Sequence, residues 1–369
     1  MAVKIENFSI NGVEYSSRKV FIIAELGTSY GGDFAKAEEL IEAAAEAGAD
    51  CVKFQIVRAR EILHPNTGEV VLPGGSVRLY DRFKELELPL SFFAALKEKV
   101  EKKGLVFLCT PFGLQSAREL AALGPGCVKI ASPELNFTAL LKEIASYGLP
   151  VFLSAGVSTL GDIEQALAAL RERVCLLHCV TSYPAPETDY NVRVLEHLRN
   201  IFGVPVGLSD HSLDPELVPV LAAALGAVAI EKHFCLSRAG AGLDDPIALP
   251  PDSFATMVRA VRRAEISGPR ETLASMRRER GEELVESVLG NGVKRLAPSE
   301  QANYLRTNRS IHALRDIHEG QIIEKDMISC LRTEKNLRPG LPPLWEDHIP
   351  GRKARQFIPA GEGIRFEDI

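Results

Sequence analysis

Eight short apolar runs recur along the first two thirds of the chain, each parted from the next by a stretch with helical spacing of its apolar residues. The runs are VFIIAEL (20–26), CVKFQIV (51–57), VFLCT (106–110), CVKIAS (127–132), VFLSAG (151–156), VCLLHC (174–179), PVGLSDH (205–211) and AVAIEKHF (227–234). Continuous apolarity suits a strand buried on both faces, and such strands belong to parallel sheets covered by helices. Two of the intervening segments, FAKAEELIEAAAEAG and LSFFAALKEKVEKKG, close on glycine, a common helix stop. Another, GDIEQALAALRER, parts the fifth run from the sixth.

Repeated strand–helix units have two main solutions, a closed barrel or an open doubly wound sheet. No run is followed by G-x-G-x-x-G, so a dinucleotide-binding sheet loses its main support. A barrel makes a further demand: reactive polar residues should gather at the C-terminal ends of many strands. All eight ends comply. They carry Glu25; Lys53 and Gln55; Thr110; Lys129, Ser132 and Glu134; Ser154; His178, with Tyr183 beyond; Ser209, Asp210 and His211; and Glu231, Lys232 and His233. The predicted class is α/β, a (β/α)₈ TIM barrel.

At 369 residues the chain exceeds the roughly 250 that such a barrel uses. Before the barrel, KIENFSI and VEYSS flank Asn11-Gly12, a strong hairpin signal. After it, a helix over 252–266 closes the barrel, and 267–304 reads as a charged linker. From 305 the texture becomes compact and turn-rich, with HEGQ and AGEG turns. The expected domains are 1–266, the linker 267–304, and a β-rich module over 305–369. A unit of about 65 residues buries little core alone, so it should dock on another surface.

The formal net charge of −6 leaves no basic surplus for a nucleic-acid backbone. No apolar run approaches the roughly 18–20 residues of a membrane span, and the N-terminus lacks the pattern of a secretory signal. Seven cysteines, an odd number without a C-x-x-C pair, predict reduced thiols in a cytoplasmic protein.

His211 and His233 end neighbouring strands, so a barrel brings their rings together at the mouth. Imidazole nitrogens suit borderline divalent ions, and two protein ligands leave positions for water and a substrate oxygen. A hydrogen-bonded histidine pair without metal fits the same spacing. Lys53 and Lys129 are cations inside apolar strands, where lysines are rare unless paired or bound to an anion. With Gln55, Thr110, Ser132, Ser154 and Ser209 they form a polar cup able to take a phosphate and a carboxylate. Two other readings stand beside this one: a Schiff-base lysine, and lysines paired internally with Glu25 or Glu134.

The motifs VKFQ (52–55), CTPF (109–112), VKIASPEL (128–135), LSAG (153–156), GLSDHS (207–212) and EKHF (231–234), followed by the small module, resemble the sialic acid synthase family. That family includes N-acetylneuraminate synthases and spore coat polysaccharide synthesis relatives, and the module resembles its antifreeze-like (SAF) domain. The resemblance runs from about residue 18 to the end of the chain. It implies condensation of phosphoenolpyruvate with an open-chain amino sugar aldehyde, giving a nonulosonic acid and phosphate. It also implies a divalent ion on His211 and His233, manganese first, with magnesium or cobalt as alternatives.

By the same resemblance, Lys53, Gln55, Thr110, Lys129, Ser132, Ser154 and Ser209 bind phosphoenolpyruvate. Glu134 orients or deprotonates water; Glu25, Tyr183 and Asp244 contact the sugar; Asp210 orients a ligand histidine. The family's small domain reaches the barrel of a partner subunit in a swapped homodimer and delivers an arginine, here Arg332, with Arg338 as a rival. Three stretches depart from the family pattern: LGTSYGGD with Ser29 and Tyr30, TSYP with Thr181 and Ser182, and GAGLDDP at 240–246. All three are expected on the sugar side. The alternatives are a metal-free Schiff-base pyruvate aldolase on the same barrel and a non-catalytic sugar-binding protein.

Overall fold

The structure, a computed structural model, describes residues 7–72, 75–334 and 336–369. Eight parallel strands form where the apolar runs fall: β1 (Phe21–Glu25), β2 (Cys51–Ile56), β3 (Val106–Pro111), β4 (Val128–Ile130), β5 (Val151–Ser154), β6 (Val174–Cys179), β7 (Val206–Asp210) and β8 (Ala229–His233). Hydrogen-bonded ladders run in the order β3-β2-β1-β8-β7-β6-β5-β4, and β3 lies beside β4 across the last seam. The result is a nearly closed TIM-like barrel with helices around it.

Alternation along each strand sorts side chains between two cores. Outward residues such as Ile22, Val52, Phe107, Leu153 and Ile230 pack against the helices. One such helix, Phe34–Glu46, starts at Asp33, whose side chain accepts the Lys36 N–H, and buries Ala37, Leu40, Ile41 and Ala44. Inward residues at the N-terminal end, including Phe21, Cys51, Leu108, Phe152, Cys175 and Ala229, fill the barrel itself.

The hairpin seals that end. Phe8–Ile10 pairs with Val13–Tyr15 about Asn11 (φ 50°) and Gly12 (φ 79°), the doubly left-handed turn that Asn-Gly adopts readily. Phe8 meets Phe152 edge-on at 4.9 Å, and Phe152 stacks on Phe21 at 5.6 Å. Each buried Phe contributes roughly 1.5–3 kcal/mol. Lys4–Glu6 of the expected first strand lie outside the described residues.

Beyond β8, the helix Pro251–Arg280 is interrupted at Gly268 (φ 76°), just before Pro269, and Glu282–Leu289 forms a further helix. The C-terminal module pairs β9 (Arg309–Ala313) antiparallel with β10 (Ile328–Arg332). It sits over the C-terminal end of the barrel: the Asn66 amide donates to the Ala360 carbonyl (2.9 Å) and the Asn336 amide to that of Thr67 (2.8 Å). Among the described residues no helix is long and apolar enough to cross a membrane.

Candidate active site

The alternation that packs the barrel's closed end also makes its open end polar. Two residues past inward Ile23 comes Glu25; past Cys51 come Lys53 and Gln55; past Phe152 comes Ser154; past Ala229 come Glu231 and His233. Register then sets the neighbours: Glu25 lies beside Lys53 and His233, and Ser209 beside Glu231. A cavity of about 240 Å³ opens there, lined from all eight strand ends and by Arg332.

Its floor is a network of buried charge. Lys53 Nζ lies 2.8 Å from Glu25 Oε2 and 3.5 Å from Glu231 Oε1, and Lys129 Nζ lies 3.2 Å from that same Glu231 oxygen. Ser209 donates to Glu231 (3.1 Å), Gln55 to Glu25 (2.5 Å), and Lys53 to Thr110 (3.4 Å). Burial by itself would lower Lys53, but Glu231 and Glu25 reverse this and raise it. Burial prevails at Lys129, which has Glu231 alone in close contact and is lowered. Burial raises Glu25, with Lys53 opposing. At Glu231 burial is overcome by Lys129 and Lys53, and its carboxyl is lowered. Ser154 Oγ is buried without a partner among the described residues.

Across the mouth, the rings of His211 and His233 lie 5.4 Å apart, and Tyr183 stacks on His211 at 4.2 Å. His211 Nδ1 is 2.8 Å from the Val180 carbonyl, which must receive a proton, so the neutral form of His211 carries its lone pair on Nε2. Burial, reinforced by the His211 charge, drives His233 well below the ordinary histidine value and holds it neutral. At His211 burial is outweighed by Cys179 and the Val180 carbonyl, which raise it, so of the pair His233 is the ring held neutral, the form in which histidine binds a divalent ion. Among the described residues no group of three or more His, Cys, Asp or Glu converges as a ligand set. A metal held here thus takes two protein nitrogens and draws its other ligands from solvent or substrate. Asp244 Oδ2 lies 3.9 Å from His233 Nδ1, its carboxyl raised to about 6 by burial and then by Glu25.

Arg332 enters from the module. Its Nε and Nη2 bind Glu134 Oε1 at 2.9 and 2.7 Å, and its guanidinium lies over the Phe112 ring at 5.3 Å. Arg309 binds the same oxygen from the other side, with Nη2 at 2.9 Å, and donates to the carbonyls of Glu61, Phe112 and Cys330. The preceding segment straps the module down. Lys294 donates to the Ala155 carbonyl, Glu300 caps the Val157 N–H, and Asn303 and Asn308 donate to the carbonyls of Thr181 and Val157.

The structure brings Glu25, Lys53, Gln55, Thr110, Lys129, Ser132, Ser154, Tyr183, Ser209, His211, His233, Asp244 and Arg332 to one cavity. Several expectations need correction. Glu134 is buried behind Arg332 and does not line the cavity. Arg332 meets the expected end of the barrel, which in this single chain is its own, by way of the strap across the loops after β5 and β6. Arg338 is held within the module by Asp368 (2.5 Å) and the Gly363 carbonyl. Asp210 orients no histidine: alternation turns it outward, where Lys232 (2.5 Å) and Ser212 bind it. His178 Nε2 donates to the Tyr190 carbonyl, and the ring stays out of the cavity. Tyr30 packs on Phe54 and Phe92, and Ser29 bonds Asp245, so neither reaches the sugar side.

Sequence reasoning gave no role to Glu231, Arg309 or Glu300. Glu231 had a signal: it lies two residues before His233 in one strand and so shares its face. Arg309, a cation opening the apolar stretch RSIHA, had a weaker one.

A model described as the NeuB family matches residues 40–271, and one described as the SAF domain matches 308–369. An N,N'-diacetyllegionaminic acid synthase of Legionella pneumophila is 32% identical, covering 98% of this chain and 99% of its own. The crystal structure of a spore coat polysaccharide biosynthesis protein from Bacillus subtilis matches with TM-score 0.82 and 32% identity, covering 98% of this chain and 99% of that one. A sialic acid synthetase structure from Leptospira borgpetersenii, in complex with citrate, matches with TM-score 0.66 and 31% identity, covering 81% and 95%.

Proposed function

The chain belongs to the NeuB family, and on that premise we propose that it condenses phosphoenolpyruvate with the open-chain aldehyde of an N-acyl amino sugar. The products are a sialic-acid-like nonulosonic acid and phosphate. One observation carries the reading. Two buried lysines, bridged by Glu231 and accompanied by the unpartnered Ser154 hydroxyl, share the cavity with a pair of adjacent histidines. An anion answers the first group, and an electrophilic oxygen near a metal answers the second.

Lys53 and Lys129, with Thr110, Ser132, Ser154 and Ser209, hold the phosphate and carboxylate of phosphoenolpyruvate; Gln55 braces Glu25 beside them. His211 and His233 would hold a divalent ion, manganese first, which when bound polarises the aldehyde oxygen. The enol carbon attacks the aldehyde carbon, forming the new C–C bond while the aldehyde oxygen takes a proton. Water adds to the cationic carbon left in the enol and loses a proton, and phosphate departs by C–O cleavage. Glu25 receives a proton well in this scheme, because it lines the cavity and burial raises its carboxyl. Glu134 anchors Arg332, which with Tyr183 and Asp244 positions the sugar. Alignment of two bound reactants supplies much of the rate.

The assembly proposed is a homodimer able to exchange modules, since a partner's module would meet the same barrel surface that the chain's own module meets. Seven buried, unpaired cysteines support a reducing, cytoplasmic setting. The test is phosphate release from phosphoenolpyruvate across a panel of N-acetyl and diacetamido hexoses. Release should require the sugar, phosphoenolpyruvate and a divalent ion together; release without sugar, or none with any sugar, rejects the synthase.

A further inference from the structure

The loop after β5 contains a strained backbone. Val157 has φ 40°, and among the described residues it is the one β-branched residue in the left-handed region. A side chain branched at Cβ leaves that region unless its surroundings hold it there. Here the holders come from the strap. Glu300 Oε1 accepts the Val157 N–H at 2.5 Å, the Asn308 amide donates to the Val157 carbonyl at 3.1 Å, and Lys294 Nζ donates to the Ala155 carbonyl at 2.8 Å. Glu300 is itself buried and braced, its Oε2 accepting the Ala297 N–H at 3.0 Å.

Val157 in turn places its neighbour. Gly156 donates its N–H to Ser132 Oγ at 3.0 Å, and a Cβ on Gly156 would lie 2.9 Å from that oxygen and 3.2 Å from Cys179 Sγ. Gly156 is thus wedged against the short helical turn Ser132–Glu134 that follows β4. An N–H entering Ser132 Oγ turns the hydroxyl hydrogen off the loop, so Ser132 meets an anion as a donor. Ser132 lines the cavity, as does Ser154, which ends β5 just before this loop.

We infer that Glu300 is a positioning residue for the anion cup: by holding Val157 in its left-handed conformation it keeps the Gly156 N–H on Ser132. The inference rests on the synthase reading for the identity of the anion, phosphoenolpyruvate. Glu300 also accepts the Thr181 N–H, at 3.3 Å, on the side of the histidines. Thr181 lies outside the left-handed region, so loss of the carboxylate releases strain at Val157 and not there.

The experiment measures phosphoenolpyruvate binding to the full chain by calorimetry without sugar, and steady-state kinetics with each substrate varied. Glu300→Ala should weaken phosphoenolpyruvate binding and raise its KM about tenfold, the scale of one lost hydrogen bond to a charged group, while kcat and the sugar KM move by less than about threefold. Glu300→Gln keeps an oxygen for the Val157 N–H and should recover part of the loss. Asn308→Ala, which frees only the Val157 carbonyl, should shift phosphoenolpyruvate in the same direction, and it serves if Glu300→Ala does not fold. Unchanged phosphoenolpyruvate affinity in these variants overturns the inference. An even loss in kcat and both KM values, the mark of a merely structural residue, overturns it too. If the wild type binds phosphoenolpyruvate but releases no phosphate with any sugar, the synthase reading fails and the affinity ratio still decides this one. If the wild type does not bind phosphoenolpyruvate, both fall.

Discussion

Arg332, carried by the C-terminal module, grips Glu134 of the barrel through two donors on one carboxylate oxygen, at 2.9 and 2.7 Å. Arg309 holds that oxygen as well. Arg332→Ala should therefore leave Glu134 paired and the fold intact while kcat/KM for the sugar drops about 100-fold, the usual scale for losing one charged group at a reaction centre. Steady-state kinetics with circular dichroism separates the two effects. Mixing Arg332→Ala with His211→Ala subunits tests module exchange. Regained activity means that the arginine crosses between subunits; none, in dimers shown to exchange, means that each chain completes its own site.

A metal held by only two histidine ligands, as proposed, would be removable. EDTA should abolish phosphate release and manganese should restore it. His211→Ala and His233→Ala should each cost several kcal/mol of transition-state stabilisation, about 10³-fold or more in rate. Full activity in either variant would remove the metal from the proposal.

Lys129 is the lowered lysine, the state that favours imine chemistry, so the aldolase alternative has a direct check. Borohydride with pyruvate should leave the protein mass unchanged. A stable pyruvyl adduct on Lys129 or Lys53 would replace the synthase with a Schiff-base enzyme. Glu231→Gln releases both lysines from their shared carboxylate, and KM for phosphoenolpyruvate should change more than KM for the sugar.

His178 is fully buried, and burial followed by the Lys294 charge brings it down to about 3; His312 is brought down to about 4, burial again leading. Both rings are neutral in the fold and protonate near 6.5 once unfolded. The unfolded state therefore binds more protons between about pH 6.5 and pH 3–4, and stability falls as pH drops through that window, on the order of a few kcal/mol in all. Thermal melts from pH 7 to pH 4 should show the decline, and His178→Gln should make it shallower.

Gly207 points into the barrel, where an added Cβ would lie 2.5 Å from the Ala229 carbonyl oxygen and 2.7 Å from Leu177. The first neighbour is backbone and cannot step aside. Gly207→Ala should destabilise by about 1–3 kcal/mol, the common range for overpacking, as read from denaturant midpoints.

Most of the barrel was legible because burial on both faces leaves a plain record, an unbroken apolar run, and each expected run became a strand. The cavity floor was legible for a related reason. In a strand every second residue shares a face, so Lys53 with Gln55 and Glu231 with His233 declare themselves by spacing. What sequence could not give was the sense in which each end residue turns. Asp210 and His211 are adjacent and polar, yet one faces out to Lys232 and the other in to the mouth. Contacts across long separations were equally hidden: Arg309 and Glu134 are 175 positions apart, and nothing in either local stretch names the other. Tyr30, expected near the sugar, was drawn into the core by Phe54 and Phe92.

The hairpin plug has a kinetic consequence. With Phe8 and its neighbours filling one end, the cavity among the described residues opens at the other, beneath the module, and reactants and products of the proposed reaction would share that doorway. The occupant of the lysine cup lies deepest and must enter before the sugar settles above it. Phosphate, released at depth in the proposed reaction, would wait for the sugar product to clear. Product-inhibition patterns should accordingly show an ordered sequence, with the nonulosonic acid leaving ahead of phosphate; a random pattern would mean a second way in.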